Sequence, residues 1–247
     1  MHAPKQLLRE DADTMVLFVH GFMGSPGQFD SLMDAAYRRG YSSASILLPG
    51  HGQSGFAFAK STLEMWEAHV KGEVARYQHY RRLYIVGHSI GGLLALDESL
   101  ESRVDGVVAL STPLKVYLLH PVANARKLRL LFLSGSSEVK QSCHRALGIE
   151  KPYYLSMPLW PRVMLQPCRL MRKAVIKLPN VTIPTLTIHS PKDETCAFKS
   201  ARMLRGLLVR AEHESLILKD SSHVWYTPEE QRLIEECVFH FIVSLKK

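Results

Sequence analysis

Short apolar runs alternate along the chain with longer stretches in which apolar residues recur at helical spacing. This alternation is typical of βαβ units, so it predicts an α/β fold with a mainly parallel central sheet flanked by helices. The apolar runs predict strands over residues 15–20, 43–48, 83–87, 104–110, 183–189 and 215–218. The stretches of helical period predict helices over residues 26–39, 62–79, 90–100, 197–210 and 228–245.

The alternation breaks between residues 114 and 181, where the apolar pattern is irregular. Prolines recur there at positions 121, 152, 158, 161, 167 and 179. A long insertion of this kind is typical of a cap or lid over a functional site. We therefore predict a core made of residues 1–113 and 182–247 and a cap made of residues 114–181. At 247 residues, 46% of them hydrophobic, the chain is long enough for one such core with its insertion.

The formal net charge of +8 is concentrated in the predicted cap. Twelve Lys or Arg and two Glu fall within residues 114–181, so this segment carries +10 and the rest of the chain −2. Two interpretations stay open: a solvated cover over the site, or an outer face that docks on an anionic membrane surface. No nucleic-acid-binding motif accompanies the charge, so we expect no nucleic-acid partner.

The N-terminal residues lack the apolar centre of a signal peptide, and the chain has no uncharged apolar run of about 18 residues. The cysteines are scattered along the chain, as is usual for reduced thiols. We therefore expect a cytoplasmic protein. Metal-binding and nucleotide-binding motifs are absent from the sequence, so we expect neither a metal nor a cofactor. The sequence leaves the oligomeric state open.

The strongest motif is GHSIG at residues 87–91, a G-x-S-x-G sequence. It lies where a predicted strand passes directly into a predicted helix, the kind of turn that exposes a nucleophilic serine. Gly87 and Gly91 fit the crowding of so sharp a turn, and the helix that starts at Ile90 directs free N–H groups at the reacting centre. We predict that Ser89 is a nucleophile.

A serine nucleophile needs a histidine base and an acid that orients the base. His223 follows the last predicted strand, at the carboxyl edge of the sheet where Ser89 also lies. Asp193 follows the preceding strand and gives the chain order Ser, Asp, His. We predict a catalytic triad of Ser89, His223 and Asp193, with Glu194 and Asp220 as alternative acids.

Acyl transfer also requires N–H donors for the oxyanion of the tetrahedral intermediate. The loop after the first predicted strand and the residue after the nucleophile are the usual sources, which indicates the backbone amides of Phe22 and Ile90. We expect Gly21, Phe22, Met23 and His88 to contact the substrate, although His88 faces the wrong way to act as the base.

The turn PGHGQS at residues 49–54 ends the next strand at the same edge of the sheet and is expected to shape the pocket. His51 in this turn has two open interpretations, a structural role or a contact with the substrate.

Together these segments resemble the small bacterial carboxylesterases and monoacylglycerol lipases of the α/β-hydrolase superfamily. The resemblance rests on HGFMGSP at 20–26, LPGHGQS at 48–54, GHSIGG at 87–92, HSPKDE at 189–194 and SSHV at 221–224. It implies a cofactor-free carboxylesterase with a small helical cap over an acyl pocket. The chain departs from the family in its basic cap and in a short N-terminus with little room for extra antiparallel strands.

The sequence thus predicts a serine carboxylesterase that acts on short- to medium-chain acyl esters, with monoacylglycerols as one candidate. The same triad also serves thioesterases, lysophospholipases, amidases, C–C hydrolases and cofactor-free haloperoxidases. A non-catalytic ligand receptor that keeps the fold is the alternative from another functional class.

Overall fold

The computed structural model of the protein describes residues 3–117, 148–150 and 153–245. Its strands are β1 (Lys5–Leu7), β2 (Thr14–Val19), β3 (Ser42–Ile46), β4 (Gln53–Ser54), β5 (Arg82–His88), β6 (Gly106–Leu110), β7 (Ile149–Glu150), β8 (Thr185–His189) and β9 (His213–Ile217). Its α-helices are α1 (Asp30–Arg38), α2 (Gly55–Lys60), α3 (Leu63–Arg76), α4 (Ile90–Glu98), α5 (Pro161–Met164), α6 (Gln166–Lys177), α7 (Lys199–Leu207) and α8 (Pro228–Ser244). Short 3-10 helices occupy Pro26–Phe29, Tyr153–Leu159 and Leu178–Asn180.

The central sheet has seven strands in the order β1-β3-β2-β5-β6-β8-β9. Neighbouring strands run parallel except β1, which pairs antiparallel with β3. The predicted α/β fold with a mainly parallel sheet is confirmed. The N-terminus, expected to have little room for extra antiparallel strands, forms one antiparallel strand of three residues, in which Lys5 and Leu7 pair with Ser45 and Ser43 at the edge of the sheet.

Both faces of the sheet are buried. Along β2, Met15, Leu17 and Val19 belong to the apolar core on one face, and Val16 and Phe18 belong to the core on the other. Helices α3, α4 and α6 contribute to the first core, and α1 and α8 contribute to the second. Two-sided burial explains why these strands stand out in the sequence as continuous apolar runs.

Threonine caps fix the starts of two predicted helices. The Thr62 hydroxyl accepts a hydrogen bond from the Met65 amide at the start of α3, and the Thr227 hydroxyl accepts one from the Glu230 amide at the start of α8. The helix predicted over residues 26–39 instead begins as a 3-10 turn at Pro26–Phe29 and becomes α-helical only at Asp30.

The described part of the predicted cap packs against the same face of the sheet as α3 and α4. Trp160, Val163 and Leu170 are buried in the core on that face, and the Trp160 indole N–H donates to the Gly55 carbonyl. Residues 118–147 of the predicted cap lie outside the described residues, and the cap boundaries stay a prediction. Among the described helices, none is long and apolar enough to cross a membrane.

Basic residues of α6 pair with acidic residues of the core. Arg169 lies 2.6 Å from Glu64 of α3, and Lys173 lies 2.7 Å from Glu67 and 2.6 Å from Asp97. Lys177 lies 2.9 Å from Asp97 and 3.6 Å from Glu101. Part of the excess positive charge of the predicted cap therefore faces negative charge on the core.

Candidate active site

Ser89 occupies a sharp turn between β5 and α4. Its backbone has φ 54° and ψ −125°, a conformation that is rare for a residue with a side chain, and its amide donates to the Leu110 carbonyl at 2.8 Å. The flanking glycines are crowded: a Cβ on Gly87 would lie 2.3 Å from the Gly91 carbonyl oxygen, and one on Gly91 would lie 2.1 Å from the Val19 carbonyl oxygen. This is the geometry expected of a nucleophile elbow.

Asp193 and His223 form a buried hydrogen-bonded pair. His223 Nδ1 donates to Asp193 Oδ2 at 2.8 Å, and Asp193 Oδ1 accepts from the amides of Thr195 at 2.7 Å and Cys196 at 2.6 Å. Burial works to raise the pKa of Asp193, but the His223 ring and the two amides outweigh burial and hold this pKa below its usual value. The carboxylate therefore stays ionised and orients the ring so that Nε2 is the nitrogen left to accept a proton.

The two alternative acids have other partners. Glu194 Oε2 accepts from the backbone N–H of His223 at 3.2 Å, so this carboxylate bonds the main chain of the predicted base. Asp220 forms an exposed ion pair with Lys192. The ring nitrogen is thus bonded by the acid that the chain order indicates.

The loop after β2 lies against Ser89. A Cβ on Gly21 would lie 2.8 Å from Ser89 Cβ, so only glycine permits this approach. The Met23 amide is already used, because it donates to His51 Nε2 at 3.1 Å. Within the described part of the chain, the amides of Phe22 and Ile90 donate no hydrogen bond, so they are available for an oxyanion. This pattern supports the two predicted donors.

Two buried neutral histidines brace this loop. His20 Nδ1 donates to the Gly21 carbonyl at 2.8 Å, and its Nε2 accepts from the Leu48 amide at 3.0 Å. His51 Nδ1 donates to the Pro49 carbonyl at 3.3 Å while its Nε2 accepts from Met23. Burial lowers the pKa of both rings, that of His51 to about 4, which keeps each ring in its donor-and-acceptor form. These contacts fit the structural role that the sequence left open for His51.

An aromatic cluster supports the same loop from below. The centroid of the Phe22 ring lies 5.2 Å from that of Phe58 and 5.9 Å from that of Trp66. The ring centroids of Phe58 and Trp160 are 5.1 Å apart. Sequence reasoning missed α2, which carries Phe58. The available signal was Ser54, whose hydroxyl caps this helix by accepting from the Ala57 amide.

Gly148 of the predicted cap also contacts the loop after β2, and the sequence did not predict this contact. Its amide donates to the Met23 carbonyl at 2.8 Å, and its carbonyl accepts from the Gly52 amide at 2.6 Å. A Cβ at this position would lie 1.8 Å from the Gly24 carbonyl oxygen, so a larger residue would displace the loop. A piece of the predicted cap thus holds the loop that carries Phe22.

His88 contacts His223, the predicted base. Its Nε2 donates to the backbone carbonyl of His223 at 2.8 Å, and the two rings are 4.7 Å apart. This engagement does not favour the substrate contact that we expected of His88. Phe22 and Met23 are half-buried apolar residues on the loop beside Ser89, a position compatible with contact to a substrate. No three His, Cys, Asp or Glu side chains of the described residues are grouped so that they could hold a metal ion.

The lowered pKa of His51 predicts that the folded protein loses stability in acid. The pKa of His51 falls from 6.5 to about 4 on burial, so the unfolded chain binds a proton more readily than the folded one. The stability contributed by neutral His51 is fully present above about pH 6.5 and is lost as the pH falls toward 4. In His51→Gln, the loss of unfolding free energy over this window should be smaller by about 3 kcal/mol.

Urea titrations at successive pH values measure this effect. His240→Gln, which changes an exposed histidine of α8, is the matched control and should leave the slope unaltered. If the free energy of unfolding falls equally with pH in wild type and in His51→Gln, His51 does not cause the loss of stability in acid.

Comparison with known proteins places the chain in a family. A family model described as serine aminopeptidase, S33, matches residues 10–226. A thermostable monoacylglycerol lipase of Bacillus sp. (strain H-257) is 27% identical over 239 residues, which cover 95% of this chain and 92% of that protein. A carboxylesterase of Bacillus subtilis (strain 168) is 19% identical over 250 residues, 98% of this chain and 97% of that protein.

Solved structures agree on the fold. A structure of the metagenome-derived lipolytic enzymes LipS and LipT has a TM-score of 0.76 to this chain at 22% identity and covers 98% of both chains. Because the family model spans most of the chain, the protein belongs to the serine aminopeptidase S33 family of α/β-hydrolases.

Proposed function

We propose that this protein is a serine carboxylesterase that hydrolyses short- to medium-chain acyl esters, monoacylglycerols among them, through Ser89, His223 and Asp193. The observation that carries the proposal is the buried His223–Asp193 pair. It lies at the same edge of the sheet as Ser89, whose backbone φ is positive. The relatives described as a monoacylglycerol lipase and a carboxylesterase support this class of substrate.

The reaction proceeds in two steps. Ser89 Oγ attacks the ester carbonyl while His223 Nε2 takes its proton, and the amides of Phe22 and Ile90 stabilise the oxyanion. The intermediate collapses, the alcohol leaves with the proton from His223, and the acyl group stays on Ser89. Water then attacks the acyl-enzyme with the same base, which releases the carboxylic acid and regenerates the serine. Asp193 remains ionised throughout and stabilises the imidazolium.

An ester is favoured over a peptide with a free amino terminus, despite the name of the family. A free α-ammonium group would need a carboxylate to pair with it. Of the acids near the triad in the described part of the chain, Asp193 is bonded to the His223 ring and Glu194 to the His223 backbone. The apolar side chains of Phe22 and Met23 beside Ser89 suit an acyl chain instead.

Contact with an anionic membrane is a second proposal, because monoacylglycerols reside in lipid surfaces. The segment 153–165 exposes Tyr154, Leu155, Met157, Leu159, Met164 and Leu165. The exposed Arg162 lies among these residues in α5. Arg169, Lys173 and Lys177 of α6 face core acids. Docking through the segment 153–165 therefore relies on apolar contact together with Arg162.

Labelling should identify the nucleophile. We expect wild type to react with a fluorophosphonate and to hydrolyse p-nitrophenyl esters much faster than amino-acid p-nitroanilides. Ser89→Ala should lose labelling and at least about a thousandfold in kcat, because the attacking oxygen is gone. Ser111→Ala is the matched control, since Ser111 is also a buried serine with positive φ after a neighbouring strand. Wild type that binds esters without turnover would indicate a receptor.

The acid can be tested by comparing neutral substitutions. Asp193→Asn should lower kcat by about ten-thousandfold, because the amide favours the wrong tautomer of His223. Asp220→Asn removes only an exposed ion pair and should keep near wild-type kcat. If the two variants exchange these outcomes, Asp220 is the acid.

Vesicle sedimentation tests the membrane proposal. Binding should be stronger to anionic than to zwitterionic vesicles and should weaken with salt, since the Debye length is only about 8 Å at physiological ionic strength. Arg162→Glu should weaken anionic binding by about 1 kcal/mol or more, whereas Arg210→Glu, an exposed arginine after α7, should not. Equal or absent binding to both vesicles would refute docking.

A further inference from the structure

The main chain of His223 is held from both sides by side chains. Its N–H donates to Glu194 Oε2 at 3.2 Å, and its carbonyl accepts from His88 Nε2 at 2.8 Å. Both residues are buried, with 6% of Glu194 and 5% of His88 exposed, so neither bond competes with bulk water. The two contacts fix the peptide groups on either side of the base.

These contacts matter because His223 lies outside regular secondary structure. It belongs to the loop between β9 and α8, where no strand or helix ladder fixes its peptide groups. Elsewhere the loop is tied down by Ser190, whose hydroxyl donates to the Ser221 carbonyl at 2.6 Å, and by a bond from the Ser222 amide to the Trp225 carbonyl. At His223 itself, the side chains of Glu194 and His88 bond the main chain.

Packing gives limited support behind this loop. A cavity of about 390 Å³ is lined in part by Gln28, His88, Trp225 and Tyr226. The hydrogen bonds from the His223 N–H to Glu194 and from His88 to the His223 carbonyl oppose a shift of these peptide groups toward this space. A displacement of about 1 Å in a catalytic group can cost about a hundredfold in rate.

His88 is suited to this task by its protonation state and its neighbours. Burial lowers the pKa of His88 to about 3, so the ring is neutral, and the carbonyl partner requires the proton to be on Nε2. The other nitrogen faces the loop after β2, where a Cβ on Gly21 would lie 3.1 Å from Nδ1. His88 therefore adjoins Ser89 in the chain, packs against Gly21 and bonds His223.

Glu194 supplies the other half from the acid loop. It follows Asp193 directly, so the loop that orients the His223 ring through Asp193 also holds the His223 backbone through Glu194. Asp193 and Glu194, two consecutive residues, thus hold both the ring and the main chain of the base. This explains why a second carboxylate lies buried beside the triad without bonding the ring.

We propose that His88 and Glu194 are positioning residues that clamp the backbone of His223 and so set the alignment of the base with Ser89. The inference rests on the proposed esterase function. Neither residue exchanges a proton with the substrate, and each acts through the base.

His88→Leu and His88→Gln test the clamp. Leucine removes the donor, whereas a glutamine amide can present N–H near the position of Nε2. We expect His88→Leu to lower kcat by about tenfold to a hundredfold with little change in KM, and His88→Gln to recover most of the loss. Rates are expressed per fluorophosphonate-titrated site, so that loss of folded protein does not count as loss of kcat.

His189→Leu is the matched control. His189 is a buried histidine at the end of β8, and its Nε2 also bonds a carbonyl, that of Thr112 at 3.0 Å, which is not part of the base loop. Its kcat per titrated site should stay near wild type. An equal loss in His189→Leu and His88→Leu would mean a general packing effect and would overturn the role of His88.

Glu194→Gln and Glu194→Leu test the other half. Glutamine keeps an acceptor for the His223 N–H and should stay within a few-fold of wild-type kcat, whereas leucine should lose about tenfold or more. A ten-thousandfold loss in Glu194→Gln would instead make Glu194 the triad acid. An inactive wild type would refute the esterase function, whereas an active wild type with unchanged kcat in both leucine variants would refute only the clamp.

Discussion

The left-handed backbone at Ser89 is the constraint on which the site depends. The turn brings Gly91 against the Val19 carbonyl, which fixes α4 against β2 and aims its free amides at the serine. Met23 and Ser111 also have positive φ, and all three residues follow the carboxyl ends of strands in the middle of the sheet. Such conformations cost of order 1–3 kcal/mol each and persist because surrounding structure enforces them.

The sequence could predict the ends of strands, and therefore the residues that meet at this edge. Ser89, Asp193 and His223 were located by their order after strands, and the structure bonds Asp193 to the His223 ring as that order indicates. The contacts of His51 and His88 could not be predicted in this way. Each joins loops that are distant along the chain, so their partners depend on tertiary packing rather than on any local pattern.

The elements that escaped prediction are short. The pair β4–β7 has two residues in each strand, and β1 has three, too few to show the alternation that marks a half-buried strand. Helix α2 spans six residues and its apolar pattern is interrupted by small residues. These elements nevertheless support the site, since Phe58 of α2 packs against Phe22. Local order near the loop after β2 is therefore dictated by long-range contacts.

A count of charges along the chain does not show which charges pair within the fold. Residues 114–181 carry +10 and the rest of the chain −2, which by itself invites an external anionic partner. In the structure, Asp97 lies between Lys173 and Lys177, with its side chain only 12% exposed. Exposed ion pairs contribute about 0–1 kcal/mol each, but pairs that share a half-buried acid are less screened and specify how two segments dock. The segregation of charge thus acts first within the molecule, holding α6 to α3 and α4, and only cations without such a partner are left for an outside surface.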